Sequence, residues 1–329
     1  MFHNAYAFEQ QPILKRVNDN RYERFSDEVC HWENMASFLS DSDWIDAIHV
    51  IRLRDGSSLD ILIRGGIRNY DSSRALPIFF NGAVDRAKGQ PPFFSGSSIA
   101  KELRTPVVAI ADPTISPSNN LGIGWYTGHP NSGAQDAITQ LLRSLADRFL
   151  LRLVLVGGSA GGFASLYYAA RIGQSAFVWN PQVDLLRYAP AHVREYLSAV
   201  LSDGSWAQGI TAVVRETPPI DYELAASGLT SNHIDFRLED TSPISRLLYL
   251  QNVSDTHENS HARPLREREN FNTIGSGLYQ SGTRIMAVGN FADSHRAPSR
   301  EVIRDGILAV MDQKNDLVQT ATALLAQID

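Results

Sequence analysis

The chain has 329 residues, with 30 Lys and Arg against 36 Asp and Glu, which gives a formal net charge of -6. This mild acidity argues against a nucleic-acid binder, because such proteins usually carry a basic patch. A chain of this length allows one large domain or two ordinary ones and buries a core without disulfides. Its single cysteine, Cys30, excludes an internal disulfide, as is typical of a reducing compartment.

The N-terminus lacks the basic stretch and apolar run of a secretory signal. The apolar stretches are broken by charge or glycine within about ten residues, which is too short to span a bilayer. We therefore expect a cytoplasmic protein with no membrane span. The sequence indicates no cofactor and leaves the oligomeric state open.

Short β-branched runs alternate with helical patterns, which predicts a mostly parallel sheet flanked by helices. A polar, helix-like stretch from Pro12 to Leu39 comes first, and Asp55-Gly56 then joins two strands as a hairpin. Eight strands are predicted, at Ala47–Leu53, Ser58–Arg64, Leu76–Phe80, Pro106–Ala111, Leu151–Val156, Ala176–Asn180, Arg246–Val253 and Thr283–Gly289. Helices are predicted at Ala134–Phe149, Gly161–Ile172 and Ser299–Gln313, with a last short helix ending at Ile328.

A polar and partly helical region, residues 185–245, interrupts this alternation. It resembles an insertion between two strands of the sheet, which would lie above the sheet as a lid does. We predict one domain over residues 1–329, with 185–245 as a lid or cap within it.

The strongest local pattern is G-x-S-x-G at Gly157, Ser159 and Gly161. An apolar strand comes directly before it and a helix directly after it, which is the context of a nucleophilic serine. The chain must reverse direction within a few residues, and only very small neighbours tolerate that crowding. A phosphate-binding turn is the alternative, but no Lys-Ser or Lys-Thr follows and G-x-G-x-x-G fails in every register. The pattern therefore favours Ser159 as a nucleophile.

A serine hydroxyl needs a base to remove its proton, and the expected chain order is serine, acid, histidine. His295 lies just past the predicted strand Thr283–Gly289 and is our candidate base, whereas His192 and His233 fall in the predicted insertion. Asp255 follows the preceding strand and is the first candidate acid. Asp184 and Asp293 are the second and third.

Backbone N–H groups are expected to stabilise an oxyanion at this turn. One would come from Ala160, at the start of the helix. Another would come from Gly82 or Ala83, which follow the strand Leu76–Phe80.

Residues His257 to His261 match H-E-x-x-H, the zinc-protease pattern. Pro264 follows within one turn, arginines come next, and no third ligand stands at a telling spacing. We therefore predict no metal, although His257 could line the pocket beside Asp255.

Several stretches resemble a group of little-studied bacterial hydrolases found with capsule and surface-glycan genes. They are Phe79-Phe80-Asn81-Gly82-Ala83, Asp112-Pro113-Thr114, Gly124-Trp125-Tyr126-Thr127-Gly128, Gly158-Ser159-Ala160-Gly161-Gly162-Phe163, Trp179-Asn180-Pro181-Gln182 and Tyr249-Leu250-Gln251-Asn252. From about Ala47 to Gln313 the chain resembles the α/β-hydrolase superfamily more broadly. The resemblance implies an α/β fold and ester chemistry on a saccharide. Trp125, Tyr126 and Trp179 could then stack on a sugar face, although aromatic residues near strand ends more often belong to the core.

Three functions stay open at this point. The first is a serine esterase acting on a small-molecule or saccharide ester, with Ser159, Asp255 and His295 as its catalytic residues. The second is an O-acyltransferase that uses the same residues. The third is a non-catalytic binding module with this fold.

Overall fold

The computed structural model describes residues 20–200, 238 and 240–327. Within these residues eleven strands form one sheet, in the order β1-β2-β3-β5-β4-β6-β7-β8-β11-β10-β9. The strands are β1 (Val29–Trp32), β2 (Ala47–Arg52), β3 (Ser58–Arg64), β4 (Leu76–Phe80), β5 (Val107–Ile110), β6 (Leu153–Gly158), β7 (Ser175–Trp179), β8 (Leu247–Asn252), β9 (Asn272–Gly275), β10 (Leu278–Ser281) and β11 (Arg284–Gly289). The central strands β5, β4, β6, β7, β8 and β11 are parallel, whereas β3 is antiparallel to both its neighbours.

Helices cover both faces of this sheet. The described α-helices are α1 (Met35–Ser40), α2 (Ser97–Leu103), α3 (Ala134–Phe149), α4 (Ala160–Ile172), α5 (Pro190–Val200), α6 (Arg263–Arg268), α7 (Arg300–Met311) and α8 (Leu317–Ala326). Apolar side chains of α2, α7 and α8 pack in one core cluster, and those of α3, α4, α5 and α6 pack in the other. The central strands are therefore buried on both faces, which explains their continuous apolar runs. None of the helices in the described ranges is both long and apolar enough to cross a membrane.

All eight predicted strands are present, but the predicted count is too low because three short strands extend the sheet. β9 and β10 form an antiparallel extension beyond β11, and β9 is exposed along its whole length, so no apolar run marks it. β1 lies inside the stretch predicted to be helical. Its four residues alternate between partly exposed and buried side chains, a signal too short to stand out from the sequence.

Cys30 lies in β1, in register with His49 of β2, and is buried. Burial raises the pKa of its thiol to about 11, with smaller contributions from the negative charges of Glu28 and Asp41.

The predicted lid falls mostly outside the described residues. Its described part includes a short 3-10 turn at Leu185–Arg187 and helix α5. The division of the chain into one domain with a lid at 185–245 stays a prediction.

The carboxyl ends of the parallel strands meet at one edge of the sheet. β4, β6, β7, β8 and β11 end there, so the residues that follow them come together in space although they are far apart in sequence. Ligands bind at this edge in open α/β sheets, because it is where loops from several strands converge.

Candidate active site

Ser159 alone separates the last residue of β6 from the first residue of α4. Its backbone has φ 54° and ψ -122°, a conformation that residues other than glycine rarely adopt. The turn is held on both sides, since the Ser159 amide donates to the Trp179 carbonyl at 3.1 Å and the Ser159 carbonyl accepts from the Phe163 amide at 3.0 Å. The strain is thus imposed by the surrounding structure, and the hydroxyl is displayed above the sheet edge.

The two glycines of the pattern are required by close backbone approaches. A Cβ on Gly157 would lie 2.3 Å from the Gly161 carbonyl oxygen, and one on Gly161 would lie 2.4 Å from the Phe80 carbonyl oxygen. Real Cβ atoms do not approach backbone so closely, so larger residues would push β6, α4 and the end of β4 apart.

A chain of hydrogen bonds joins Ser159 to the two other predicted catalytic residues. The Nδ1 atom of His295 lies 2.6 Å from Asp255 Oδ2, and its Nε2 atom lies 2.9 Å from Ser159 Oγ. A carboxylate can only accept, so Nδ1 carries the proton and Nε2 of the neutral ring accepts from the serine hydroxyl. Asp255 is 2% exposed, so its charge is shielded from water. This arrangement can remove a proton from Ser159 and stabilise the resulting imidazolium.

The loop that carries His295 is anchored by Asn252, the last residue of β8. Its side-chain amide donates to the carbonyl oxygens of Ser294 and Arg296, both at 2.8 Å, on either side of the histidine. Its Oδ1 accepts from the Ala292 amide at 3.0 Å. The imidazole therefore projects from a loop whose backbone is fixed at three points.

Asp255 serves a second histidine as well. Both the amide and Nδ1 of His257 donate to Asp255 Oδ1, at 3.0 Å and 2.8 Å. Burial opposes ionisation of Asp255, but the hydrogen bonds from His257 and His295 outweigh it and hold the pKa of that carboxyl well below its usual range. The His257 ring also stacks on Tyr188, with centroids 4.9 Å apart. His257 therefore contacts both predicted catalytic partners of Ser159: it donates hydrogen bonds to Asp255, and its ring centroid lies 4.9 Å from that of His295.

Gln182 is a site residue that sequence reasoning missed. It has no exposed surface, and its Nε2 lies 3.1 Å from Ser159 Oγ and 3.4 Å from His295 Nε2. Its Oε1 accepts from the indole N–H of Trp125 at 3.2 Å. An indole nitrogen can only donate, so this contact fixes the amide with its NH2 group towards the serine. Gln182 follows β7 in the quoted Trp179-Asn180-Pro181-Gln182 stretch, which was the available signal.

Trp125 and Tyr126 are buried and make hydrogen bonds to two residues that lie next to Ser159, namely Gln182 and Asn81. They are 1% and 0% exposed, so both rings belong to the core, the more frequent role of aromatic residues near strand ends, and neither offers a face to a sugar. The Tyr126 hydroxyl instead accepts from the Asn81 amide at 2.6 Å and donates to Asn81 Oδ1 at 2.8 Å. Both aromatic residues have positive φ. The Thr114 amide donates to the buried Asp112 side chain at 2.9 Å, and the Thr114 hydroxyl donates to the Gly124 carbonyl at 3.1 Å. The Asp112 and Gly124–Tyr126 stretches therefore hold Gln182 and Asn81 in place.

The predicted oxyanion residues lie around the serine. Ala160 is the first residue of α4, where the amide has no acceptor within the helix. A Cβ on Gly82 would lie 3.3 Å from the Gly158 carbonyl oxygen and 3.7 Å from Ser159 Cβ, so the backbone after β4 passes close to the nucleophile. Ala83 lines the same cleft as Ser159.

The competing candidates have other roles. Asp184 caps the turn at Leu185–Arg187, with its Oδ1 accepting from the Leu186 amide at 3.2 Å, and Asp293 is exposed. His192 is largely exposed and pairs with Glu195 at 3.5 Å, whereas His233 lies outside the described residues.

The zinc-protease pattern is not supported. Glu258 pairs with Arg266 at 3.3 Å, and His261 is fully buried with its pKa lowered to about 3, first by burial. Within the described residues, the side chains close enough to one another to hold a metal ion are those of Asp255, His257 and His295. His261 is not among them, so the two histidines of the pattern do not form a shared metal site.

The fold is similar to that of several solved proteins. The capsule O-acetyltransferase of Neisseria meningitidis serogroup A matches with 14% identity and a TM-score of 0.50, over 78% of this chain and 94% of that chain. A variant of that enzyme in complex with CoA matches with 14% identity and a TM-score of 0.51, over 83% and 100%. The chain has the α/β-hydrolase fold. The predicted resemblance is thereby confirmed at the level of fold, together with the predicted mostly parallel sheet and flanking helices.

The Gap123 glycosylation-associated complex from Streptococcus agalactiae matches with 16% identity and a TM-score of 0.47, over 75% of this chain but only 42% of that chain. The family model described as "Uncharacterised protein family (UPF0227)" matches residues 116–198. A comparison with curated protein sequences finds no significant match.

A cleft of about 410 Å³ opens beside Ser159 in this α/β-hydrolase fold. It lies between the ends of β4 and β6, the start of α2, the first turn of α7 and the loop of His295. Apolar side chains dominate its lining, and they include Phe79, Ile99, Val156, Trp179 and Ile303. A substrate bound there would have its reacting atom next to the serine hydroxyl.

Proposed function

We propose that this protein is a serine hydrolase that cleaves an ester through an acyl-enzyme intermediate. The observation that carries the proposal is the hydrogen-bonded chain from Asp255 through His295 to Ser159 Oγ, with distances of 2.6 Å and 2.9 Å. The strained backbone of Ser159 lowers the stability of the fold, and such strain is found mainly at functional sites. Its position beside a base and a buried acid therefore favours a chemical role.

The reaction follows from these contacts. Ser159 Oγ attacks the ester carbon as its proton passes to His295 Nε2, and Asp255 stabilises the imidazolium that forms. The oxyanion accepts hydrogen bonds from the amide of Ala160 and from that of Gly82 or Ala83. His295 then returns the proton to the leaving alcohol, and water repeats the sequence to release the acid.

A second candidate is transfer of the acyl group to a sugar hydroxyl instead of water. It is favoured by the likeness in fold to the capsule O-acetyltransferase, which extends over 94% of that chain. The two activities share every step up to the acyl-enzyme, so they differ only in which hydroxyl accepts the acyl group.

Labelling with a fluorophosphonate probe tests the nucleophile. We expect the wild-type protein to be labelled on the peptide that contains Ser159, and Ser159→Ala to lose the label. Ser98→Ala, which removes an exposed serine at the start of α2, is the matched control and should be labelled fully. Folded wild-type protein that resists the probe would overturn the proposal and favour a non-catalytic binding module.

Partition of the acyl group separates the two candidates. A chromogenic ester is turned over with and without an added oligosaccharide, and the free acid and acylated sugar are both quantified. Release of free acid alone supports hydrolysis. Acylated sugar as the main product replaces hydrolysis by transfer while leaving Ser159 as the nucleophile.

A further inference from the structure

We propose that the cleft beside Ser159 binds an apolar part of the ester that is larger than an acetyl or methyl group. This inference rests on the proposed function, because it names the class of ester on which Ser159 acts. It also differs from the saccharide ester that the sequence resemblance implies, since the cleft is suited to an aliphatic or aromatic group.

The walls of the cleft are apolar and fixed. Ile99, Ile303 and Trp179, from α2, α7 and the end of β7, are partly exposed apolar side chains of its lining, whereas Phe79 and Val156 are 3% and 2% exposed and offer a ligand little surface. The two helices are tied together by Arg300, which pairs with Glu102 at 2.6 Å and donates to the Ser98 carbonyl at 3.1 Å. A bound apolar group would therefore contact walls that are already in position.

The cleft offers a sugar few side-chain hydrogen bonds, because apart from Ser95 and the indole of Trp179 its polar lining side chains already have partners. Asn81 lines it, but its Nδ2 donates to the Gly82 carbonyl at 2.9 Å and its Oδ1 accepts from the Tyr126 hydroxyl at 2.8 Å. Ser159 and His295 are hydrogen-bonded to each other, so neither side chain is available to bind a sugar hydroxyl. Hydroxyl groups buried without partners lose their bonds to water, so a sugar ring would bind poorly here.

The cleft also lacks charge. Among its described lining residues there is no Asp, Glu, Lys or Arg, and His295 is the single group that can become charged. A phosphate or carboxylate group would lose its hydration without meeting a cation. The bound group is therefore both uncharged and apolar.

The volume of about 410 Å³ leaves room for a group much larger than acetyl or methyl. It falls within the range of cavities that enclose whole small ligands. An acetyl group would leave most of the cleft unfilled, whereas a chain of several carbons or an aromatic ring would cover the apolar walls. Stabilisation of the transition state rises with the apolar area that the substrate buries.

Isomeric esters show which side of the ester occupies the cleft. Ethyl hexanoate and hexyl acetate contain the same atoms, and both are compared with ethyl acetate by titrating the acid released. We expect kcat/KM for one of the isomers to exceed that for ethyl acetate about tenfold or more. A preference for ethyl hexanoate assigns the cleft to the acyl group, and a preference for hexyl acetate assigns it to the alcohol.

Ile303→Trp fills the cleft from α7 and should abolish that preference, so that kcat/KM for the favoured isomer no longer exceeds kcat/KM for ethyl acetate. Leu308→Trp is the matched control, because Leu308 lies on the same helix but is 42% exposed and does not line the cleft. It should keep the preference. If Ile303→Trp fails to fold, Ile303→Ala takes its place and should extend the preference to longer chains.

The outcomes of this test and of the probe labelling are distinct. If the probe labels Ser159 and ethyl acetate is cleaved at least as well as both isomers, the cleft assignment is wrong and the proposed function stands. If the probe does not label Ser159, the proposed function itself fails. A preference for an isomer that Ile303→Trp leaves unchanged also refutes the assignment, because another surface must then bind the chain.

Discussion

Replacing Gln182 and Trp125, singly and together, tests whether the buried amide positions the nucleophile. Gln182→Met keeps the length of the side chain but removes the NH2 group that lies 3.1 Å from Ser159 Oγ. Trp125→Phe keeps a buried aromatic ring but removes the indole N–H that orients the amide. If Trp125 acts through Gln182, the second substitution should have no further effect on kcat once the first is made.

The expected magnitudes follow from the contacts. A neutral hydrogen bond contributes about 0.5–1.5 kcal/mol, and Ser159 Oγ gains only partial negative charge as its proton passes to His295, so Gln182→Met should lower kcat about 3-fold to 10-fold. Each single substitution also leaves one buried polar group without a partner, which costs about 1–3 kcal/mol in the free energy of unfolding. The double substitution leaves neither group unpaired, so its cost should be less than the sum of the two.

The assay is steady-state hydrolysis at saturating ester, with urea unfolding for stability. Trp44→Phe is the matched control, because the Trp44 indole donates to the Phe38 carbonyl at 3.2 Å, away from Ser159. It should lower the free energy of unfolding without changing kcat. A Gln182→Met protein with kcat within about twofold of wild type would refute the positioning role, as would effects on kcat that simply multiply in the double variant.

Two further predictions concern the turn and the acid. Gly161→Ala should lower the free energy of unfolding by about 1–3 kcal/mol, and reduce probe labelling, because its Cβ would lie 2.4 Å from the Phe80 carbonyl oxygen. His257→Leu should reduce stability at neutral pH, since it removes a donor that lowers the pKa of Asp255. That stabilisation is present above the ordinary carboxyl pKa of about 4 and is lost at lower pH. Urea unfolding should therefore show a difference from wild type that shrinks on acidification; a constant difference would contradict it.

The parts of the site that could be predicted are those with local signals. Ser159 has a strand before it and a helix after it, and the sharp turn between them permits only very small neighbours. Asp255 and His295 follow strands in the expected order, and parallel strands deliver the residues after them to one edge. The meeting of Ser159, Asp255 and His295 at one edge of the sheet could therefore be predicted from the order of the strands in the sequence. Their catalytic roles stay proposals.

The contacts below the serine could not be predicted, because they join residues that are distant in sequence. Trp125 and Gln182 are 57 positions apart, and no periodicity connects them. Two aromatic residues after a glycine resemble a ligand-binding surface, yet the positive φ values at Trp125 and Tyr126 turn both rings into the core. Only the packed structure decides which way such a loop faces.

Cys30 makes this protein convenient for site-specific labelling. It is the single cysteine of the chain, and burial keeps its thiol protonated at neutral pH, so thiol reagents should leave the folded protein unmodified. A cysteine introduced at an exposed position beside the cleft, such as Ala297→Cys, would then be the one group to take up a maleimide dye. Fluorescence from such a dye could follow substrate binding without first removing a native cysteine.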